Sequence, residues 1–397
     1  MADTADLIEE TRARVAGYES RFNARFAACF DTLAATLDAP GSSRFTPECV
    51  GLLRELSLRG GKRMRVALLY EAARLVTAGP VAGLDAAALS VELLQTHGLI
   101  HDDIIDDSPV RDDSPVRRGG PSTHQAYRER FPGHPRTALG LAVLAGDLAL
   151  ALSLRVLLDS DAPLPVRHAM VEAQTRAAAD TFIGQIVDLE RDFTAGPPDE
   201  EVLHAVADYK SARYSLLAPM ELGLLAAGAP PGRYAAELRR YARLVRICGQ
   251  MRDDYLDLFG GPEVTGKPVG TDLRDGRRTF AVRALLCAVG GAEPGVGGAE
   301  PGVGGAEPGV GGAEPGVGGA ERAVVTSALG DPSCSAETVA AVREIAERHG
   351  VPERMRAEMR RHAESASALA GTWRGRWRDE AVAFFAYLPV WSVERTA

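Results

Sequence analysis

Between Asp85 and Phe259, apolar residues recur at three- and four-residue spacing through one long run after another. The runs extend from about Asp85 to Asp107, Thr137 to Leu158, Val166 to Phe193, Asp199 to Ala227 and Gly232 to Phe259. That spacing lays one apolar stripe along each helix, and such helices must bury their stripes against one another. No segment shows a convincing two-residue alternation, the mark of a half-buried strand. The expected fold is all-α, a single-domain helical bundle. An earlier stripe, Val15, Tyr18, Phe22, Phe26 and Phe30, predicts a helix near the start. "FTPEC" predicts another, with Thr46 as its N-cap and Pro47 at its first position. It stops at Gly60-Gly61, and helix resumes through "KRMRVALLYEAARLV".

Composition narrows the partners. A hydrophobic fraction of 46% and a net charge of −9 fit a soluble globular protein. They argue against nucleic acid, whose phosphates want a basic face. The five cysteines (Cys29, Cys49, Cys248, Cys287, Cys334) have no metal-ligand spacing, which suits free thiols in a reducing cytoplasm. The acidic start "MADTADLIEE" carries no signal-peptide pattern. "TALGLAVLAGDLALALSLRVLL" is broken by Asp147 and Arg155, so it reads as a buried helix rather than a transmembrane segment. Cytoplasmic localisation is the expectation.

Two stretches cannot belong to the bundle. "AEPGVGG" repeats in tandem four times from Ala292 to Gly319, too rich in glycine and proline for helix and without large side chains for a core. A flexible loop is expected at about 290–321. "HDDIIDDSPVRDDSPVRRGG", from His101 to Gly120, contains "DDSPVR" twice, and a lengthened loop is expected at about 107–118. Chain length added to loops has a small entropic cost.

The carboxylates carry the chemistry. Asp102 and Asp106 lie four apart on a helix, as do Asp103 and Asp107, so like charges crowd one face and repel. The preceding "VELLQTHGLI" is largely apolar, so these acids close a buried helix. A second triplet, Asp253, Asp254 and Asp257 in "QMRDDYLDLFGG", also closes an apolar helix. Two copies of Asp-Asp-x-x-Asp point to divalent cations. Magnesium suits a site of a few carboxylates whose shell is completed by water and substrate phosphates. Cations follow in "RGGKRMR" (Lys62, Arg63, Arg65), "VRRGG" (Arg117, Arg118), "DYKSARYS" (Lys210) and "TGKPVGTD" (Lys267). Each alone would read as a solvated surface charge. Their coincidence with the acids suggests a diphosphate substrate.

These residues resemble the head-to-tail trans-isoprenyl diphosphate synthases, the polyprenyl synthetase family that includes farnesyl and geranylgeranyl diphosphate synthases. The matching motifs run from Gly60 to Arg283: "GGKRMR", "ELLQTHGLIHDDIIDDSPV", "RRGGPSTH", "AGD", "GQIVDL", "YKSARYS", "GQMRDDYLDLFG" and "GKPVGTDLRDGRRTF". The resemblance implies an isoprenoid synthase bundle with a central active-site cavity, spanning 1–397. It implies a transferase of alkyl groups that joins isopentenyl diphosphate to an allylic diphosphate by ionisation, condensation and elimination. Asp102, Asp103 and Asp106, with Asp253, Asp254 and Asp257, would hold three magnesium ions on the allylic diphosphate. Arg117, Lys210 and Lys267 would contact that diphosphate, and Lys62, Arg65, Gln95 and Arg118 that of isopentenyl diphosphate. Gln250 would lie by the reacting chains, and Gln185 and Asp188 would support the metal site. His97 and Gly98, one turn before Asp102, would set chain length. Their modest size favours C20 over C15, although His97 fits simple packing equally well. A homodimer is the family's usual assembly.

The sequence departs from the pattern in places. Gln95 stands where many relatives carry histidine, and Val66 where proline is common. Arg277 replaces a frequent lysine. Two rivals remain: a class I terpene cyclase, which usually lacks a second Asp-Asp-x-x-Asp, and a non-catalytic subunit of a heteromeric synthase, which tends to lose motif aspartates. The extra "DDSPVR" is expected to lengthen an active-site lid. Deleting Asp107 to Asp112 should change turnover or metal dependence in a steady-state assay, and unchanged kinetics would dismiss that role.

Overall fold

Phe22, Phe26 and Phe30 line the inner face of a first helix, α1 (Thr4–Thr36), and each is at most 1% exposed. They join one apolar core with residues of α2 (Thr46–Leu58), α3 (Met64–Val76) and α4 (Leu84–Ile105). Burying one such ring contributes about 1.5–3 kcal/mol. The computed structural model describes residues 4–108, 110–111, 119–193, 196–261, 269–290 and 317–394. Pro47 enters the first turn of α2 as expected, but Thr46 is already helical and does not cap it. The N-cap position is Phe45, without a side-chain cap, and the Ser43 hydroxyl oxygen accepts from the Thr46 N–H (3.4 Å) and bonds the Thr46 hydroxyl (2.6 Å).

After α4 come a two-residue antiparallel ribbon and α5 (Thr123–Arg130). The ribbon pairs β1 (Val110–Arg111) with β2 (Gly120–Pro121), too short for alternation to register in the sequence. Asp107 ties this region to α5 through Arg128 at 2.8 Å. Next is α6 (Pro135–Leu158), which packs along α4 through Ala138, Ala142, Ala145 and Ala149, all 0% exposed. Their small side chains let the two helices approach closely. The outer face of α6 is different. Leu139, Leu144 and Leu158 are exposed, so the helix is buried on one side only. By length and composition α6 could cross a membrane, and a third of its most apolar window is buried.

α7 (Leu164–Arg191) then meets a helix that changes gauge. α8 (Glu200–Val206) widens into a π-helical segment, Ala207–Leu217, and tightens again into α9 (Ala218–Ala226). The run expected over Asp199 to Ala227 is thus continuous but not uniform. Gly184 of α7 is what lets this segment in: a Cβ there would stand 2.0 Å from the Lys210 backbone nitrogen. Wide turns of this kind often mark functional sites, and this one carries Lys210.

The chain closes with α10 (Ala235–Phe259), a short α11 (Thr271–Arg274), α12 (Phe280–Gly290), α13 (Val317–Ala328), α14 (Ala336–Arg348), α15 (Val351–Gly371) and α16 (Asp379–Glu394). Trp373, Tyr241, Phe384 and Phe385 form a second core that seats α16 on α3 and α10. α13 begins at Val317, inside the last repeat and before the expected loop end at 321, and the other repeats lie outside the described residues. All five cysteines are free.

Candidate active site

The end of α4 opens on a cavity of 790 Å³, and Asp102 and Asp106 stand on its wall. The i, i+4 spacing puts both on one face. The π-helical segment brings Lys210 to them. Its Nζ lies 3.3 Å from Asp102 and donates to Asp188 of α7 at 2.6 Å. Burial would lower the Lys210 pKa, but Asp102 and Asp188 outweigh it and raise it above the usual lysine value. Burial likewise pushes the Asp188 carboxyl up, yet Lys210 and Arg191 hold it below its ordinary value. Arg191 pairs with Asp188 at 2.9 Å. On the far side, Arg277 binds Asp106 and reaches Asp192 at 3.5 Å. Asp106 is still raised, first by burial and then by Asp102.

The second triplet splits three ways. Asp253 is exposed, its side chain 46% accessible and 3.6 Å from Arg246, itself a cavity residue. Asp254 lines the cavity, 3% exposed, and accepts from Gln250 Nε2 (2.8 Å) and the Phe280 N–H (2.9 Å). Burial pushes its carboxyl up to about 7. Asp257 turns to the backbone, accepting the N–H groups of Thr271 (3.2 Å) and Asp272 (3.1 Å), and so fixes the start of α11. Asp103 is 4% exposed and off the cavity wall. Asp103 and Asp257, expected as ligands, are thus engaged by the protein: Asp103 follows Asp102 by about 100° around α4 and is buried, and Asp257 is held by the backbone N–H groups at the start of α11.

The cationic expectations divide as well. Lys62 does not reach this cavity. It lines a separate apolar pocket of 260 Å³ with Met64, Phe384 and Leu388, 5.6 Å over the Trp391 ring. Arg65 approaches through Tyr214, a cavity residue whose hydroxyl lies 3.2 Å from its Nη2. Arg117, Arg118 and Lys267 lie outside the described residues. Gln95 and Gln185 both line the cavity, and each has a buried amide atom without a hydrogen bond, Oε1 and Nε2 respectively. A polar substrate would satisfy them.

Leu94, Leu99, Leu150, Phe182 and Ile186 make part of the cavity wall apolar. His97 is 5% exposed and hydrogen-bonded through Nδ1 to the Gly146 carbonyl at 2.9 Å. A Cβ on Gly98 would meet nothing within 4 Å. Sequence reasoning gave no role to Arg191, Asp192, Arg246 or Asp272, and noted Arg277 only as a substitution. Asp272 is driven well above the carboxylate range by burial and by Asp254 and Asp257. Its one signal was its place inside the motif "GKPVGTDLRDGRRTF".

The model of the polyprenyl synthetase family matches residues 47–289. A farnesyl diphosphate synthase of Geobacillus stearothermophilus is 33% identical over 242 residues, which cover 59% of this chain and 73% of the relative. A geranylgeranyl diphosphate synthase of Methanosarcina mazei is 34% identical, over 56% of this chain and 63% of the relative. The crystal structure of a geranylgeranyl pyrophosphate synthase from Corynebacterium glutamicum, complexed with isoprenyl diphosphate and magnesium, superimposes with a TM-score of 0.74. It is 25% identical, with 99% of each chain covered.

The raised Asp254 carboxyl sets a pH test on metal-free protein. Its folded pKa, about 7, lies above the ordinary 3.8, so this group's contribution to stability is lost as pH rises from about 4 to about 7. Urea unfolding of Asp254→Asn should show a gain over the parent chain that grows across that window and levels above it. A gain independent of pH would show that Asp254 carries no such strain.

Proposed function

Since the chain belongs to the polyprenyl synthetase family, we propose that it is a prenyl diphosphate synthase whose cavity favours a C20 product over C15. The observation that supports this reading best is Lys210 held between Asp102 and Asp188 on the wall of a cavity that is also lined by Leu94, Leu99, Leu150, Phe182 and Ile186. A diphosphate head and a hydrocarbon tail fit those two sets of residues. Isopentenyl diphosphate would be the other substrate, joined head to tail to the allylic one.

The charged part of that wall also suits magnesium. Its acids are hard oxygen donors, and Asp106, Asp254 and Asp272 all sit above their usual pKa, as crowded carboxylates do when a cation would relieve them. Asp102, Asp106, Asp253 and Asp254 would hold it, in three ions shared with the allylic diphosphate. Magnesium there would supply positive charge to the departing diphosphate. The chain's own side chains do the rest. Lys210 stays charged and meets the diphosphate directly, while Arg277 steadies Asp106. Gln95 on the cavity wall would donate its amide N–H to the second substrate's diphosphate, and Gln250 braces Asp254. Leu94, Leu99, Phe182 and Ile186 keep water from the allylic cation. No nucleophilic side chain is needed, and a cyclase or a non-catalytic subunit gains no support from the site.

Chain length follows from open space at Gly98 and from a mid-sized, tethered residue at His97. Purified protein given isopentenyl diphosphate, each allylic starter and magnesium should make mainly C20. Gly98→Phe should shorten the product by at least one five-carbon unit in chromatography of the dephosphorylated alcohols. An unchanged distribution would move the length determinant elsewhere.

The assembly we infer is a homodimer through the outer faces of α6 and α7. Leu144 of α6 is 61% exposed, Ile183 of α7 50%, and Phe193, just past the end of α7, 91%. An apolar face of this kind on a folded chain marks an interface. The double variant Leu144→Asp, Ile183→Asp should sediment as a monomer while the parent sediments as a dimer, and a monomeric parent would refute the arrangement.

A further inference from the structure

One cluster of side chains has no part in diphosphate chemistry. α4 carries His97 and His101 one turn apart, and Asp147 of α6 faces them. A ligating atom from each of the three lies within 4.8 Å of the other two. The Gly146 carbonyl can only accept, so His97 Nδ1 carries the proton in their 2.9 Å bond and Nε2 keeps a lone pair. Metal-ligating histidines are commonly oriented this way, one nitrogen donating to a backbone carbonyl while the other binds. His101 Nε2 is buried and makes no hydrogen bond, although Asp147 Oδ1 is 3.3 Å away. Space for that nitrogen depends on Gly146, where a Cβ would stand 2.5 Å from it. The two rings lie 4.4 Å apart at 49°, neither stacked nor hydrogen-bonded to each other.

We propose that His97, His101 and Asp147 form a second metal site, selective for a divalent first-row transition ion such as zinc. Two imidazoles and one carboxylate suit zinc, whereas magnesium prefers oxygen alone. Zinc ligands stand about 2.0–2.2 Å from the ion and so about 3.4 Å from each other in a tetrahedron. Asp147, with its side chain 57% exposed, has the freedom to close that gap. The fourth position faces the cavity, which all three residues line.

The test needs no substrate, so its outcome is independent of the elongation reading. Metal-stripped protein in saturating magnesium, which fills the carboxylate-rich wall, is titrated with zinc by calorimetry and with cobalt by visible absorption. One equivalent should bind, with cobalt giving the intense bands of a four-coordinate nitrogen and oxygen site. His97→Gln and Asp147→Asn should each weaken binding at least tenfold while circular dichroism and Tm stay those of a folded chain. Asp147 is at the surface, so its variant remains informative if His97→Gln misfolds. No uptake in excess magnesium, or equal uptake by Asp147→Asn, would overturn the site.

Discussion

Two carboxylates four residues apart at the end of an apolar helix repel each other, and the surrounding fold is arranged around that repulsion. Asp102 is met by Lys210 and Asp106 by Arg277, and each cation is shared with a further acid, Asp188 or Asp192. Neither cation is near in sequence. Lys210 arrives because α8 widens where it crosses α7, and Gly184 leaves room for the crossing. The charge balance therefore depends on backbone packing directly behind the cavity wall, where Gly184 meets the Lys210 backbone.

The same acids explain why the metal-free site is under electrostatic load. Asp254 and Asp272 are packed near Asp257, and burial raises the pKa of both above the ordinary carboxylate value. Backbone N–H groups of Thr271, Asp272 and Phe280 offset some of this. Under the proposed function the remainder is stability given up for affinity, since a cation entering such a site would relieve repulsion. Stability and function pull against each other at the same few atoms.

The helices were legible because their apolar stripes have one period and their ends carry glycine or charge. The π-helical segment was not, since one extra residue per turn over Ala207–Leu217 still reads as a helical stripe. Direction was the harder problem. Asp102–Asp106 and Asp103–Asp107 have identical spacing, and only packing decides that the first pair faces the cavity while Asp103 is buried and Asp107 reaches Arg128. Lys62 was misdirected for a similar reason, because the side chain facing it, Trp391, is over three hundred residues away in the chain. Asp272, Arg191 and Arg246 looked like ordinary charges until tertiary structure gathered them.

The ribbon of Val110–Arg111 with Gly120–Pro121 works as a neck. Backbone hydrogen bonds pin the chain on both sides of the second "DDSPVR", so the distance between α4 and α5 is set below that unit rather than by it. Sequence inserted above a neck leaves the anchored elements in register, because ring closure grows only slowly with length. A tandem copy could thus arise there by slippage and persist without disturbing Asp102 or Asp106, which makes this corner a growth point where the family's scaffold can acquire new surface.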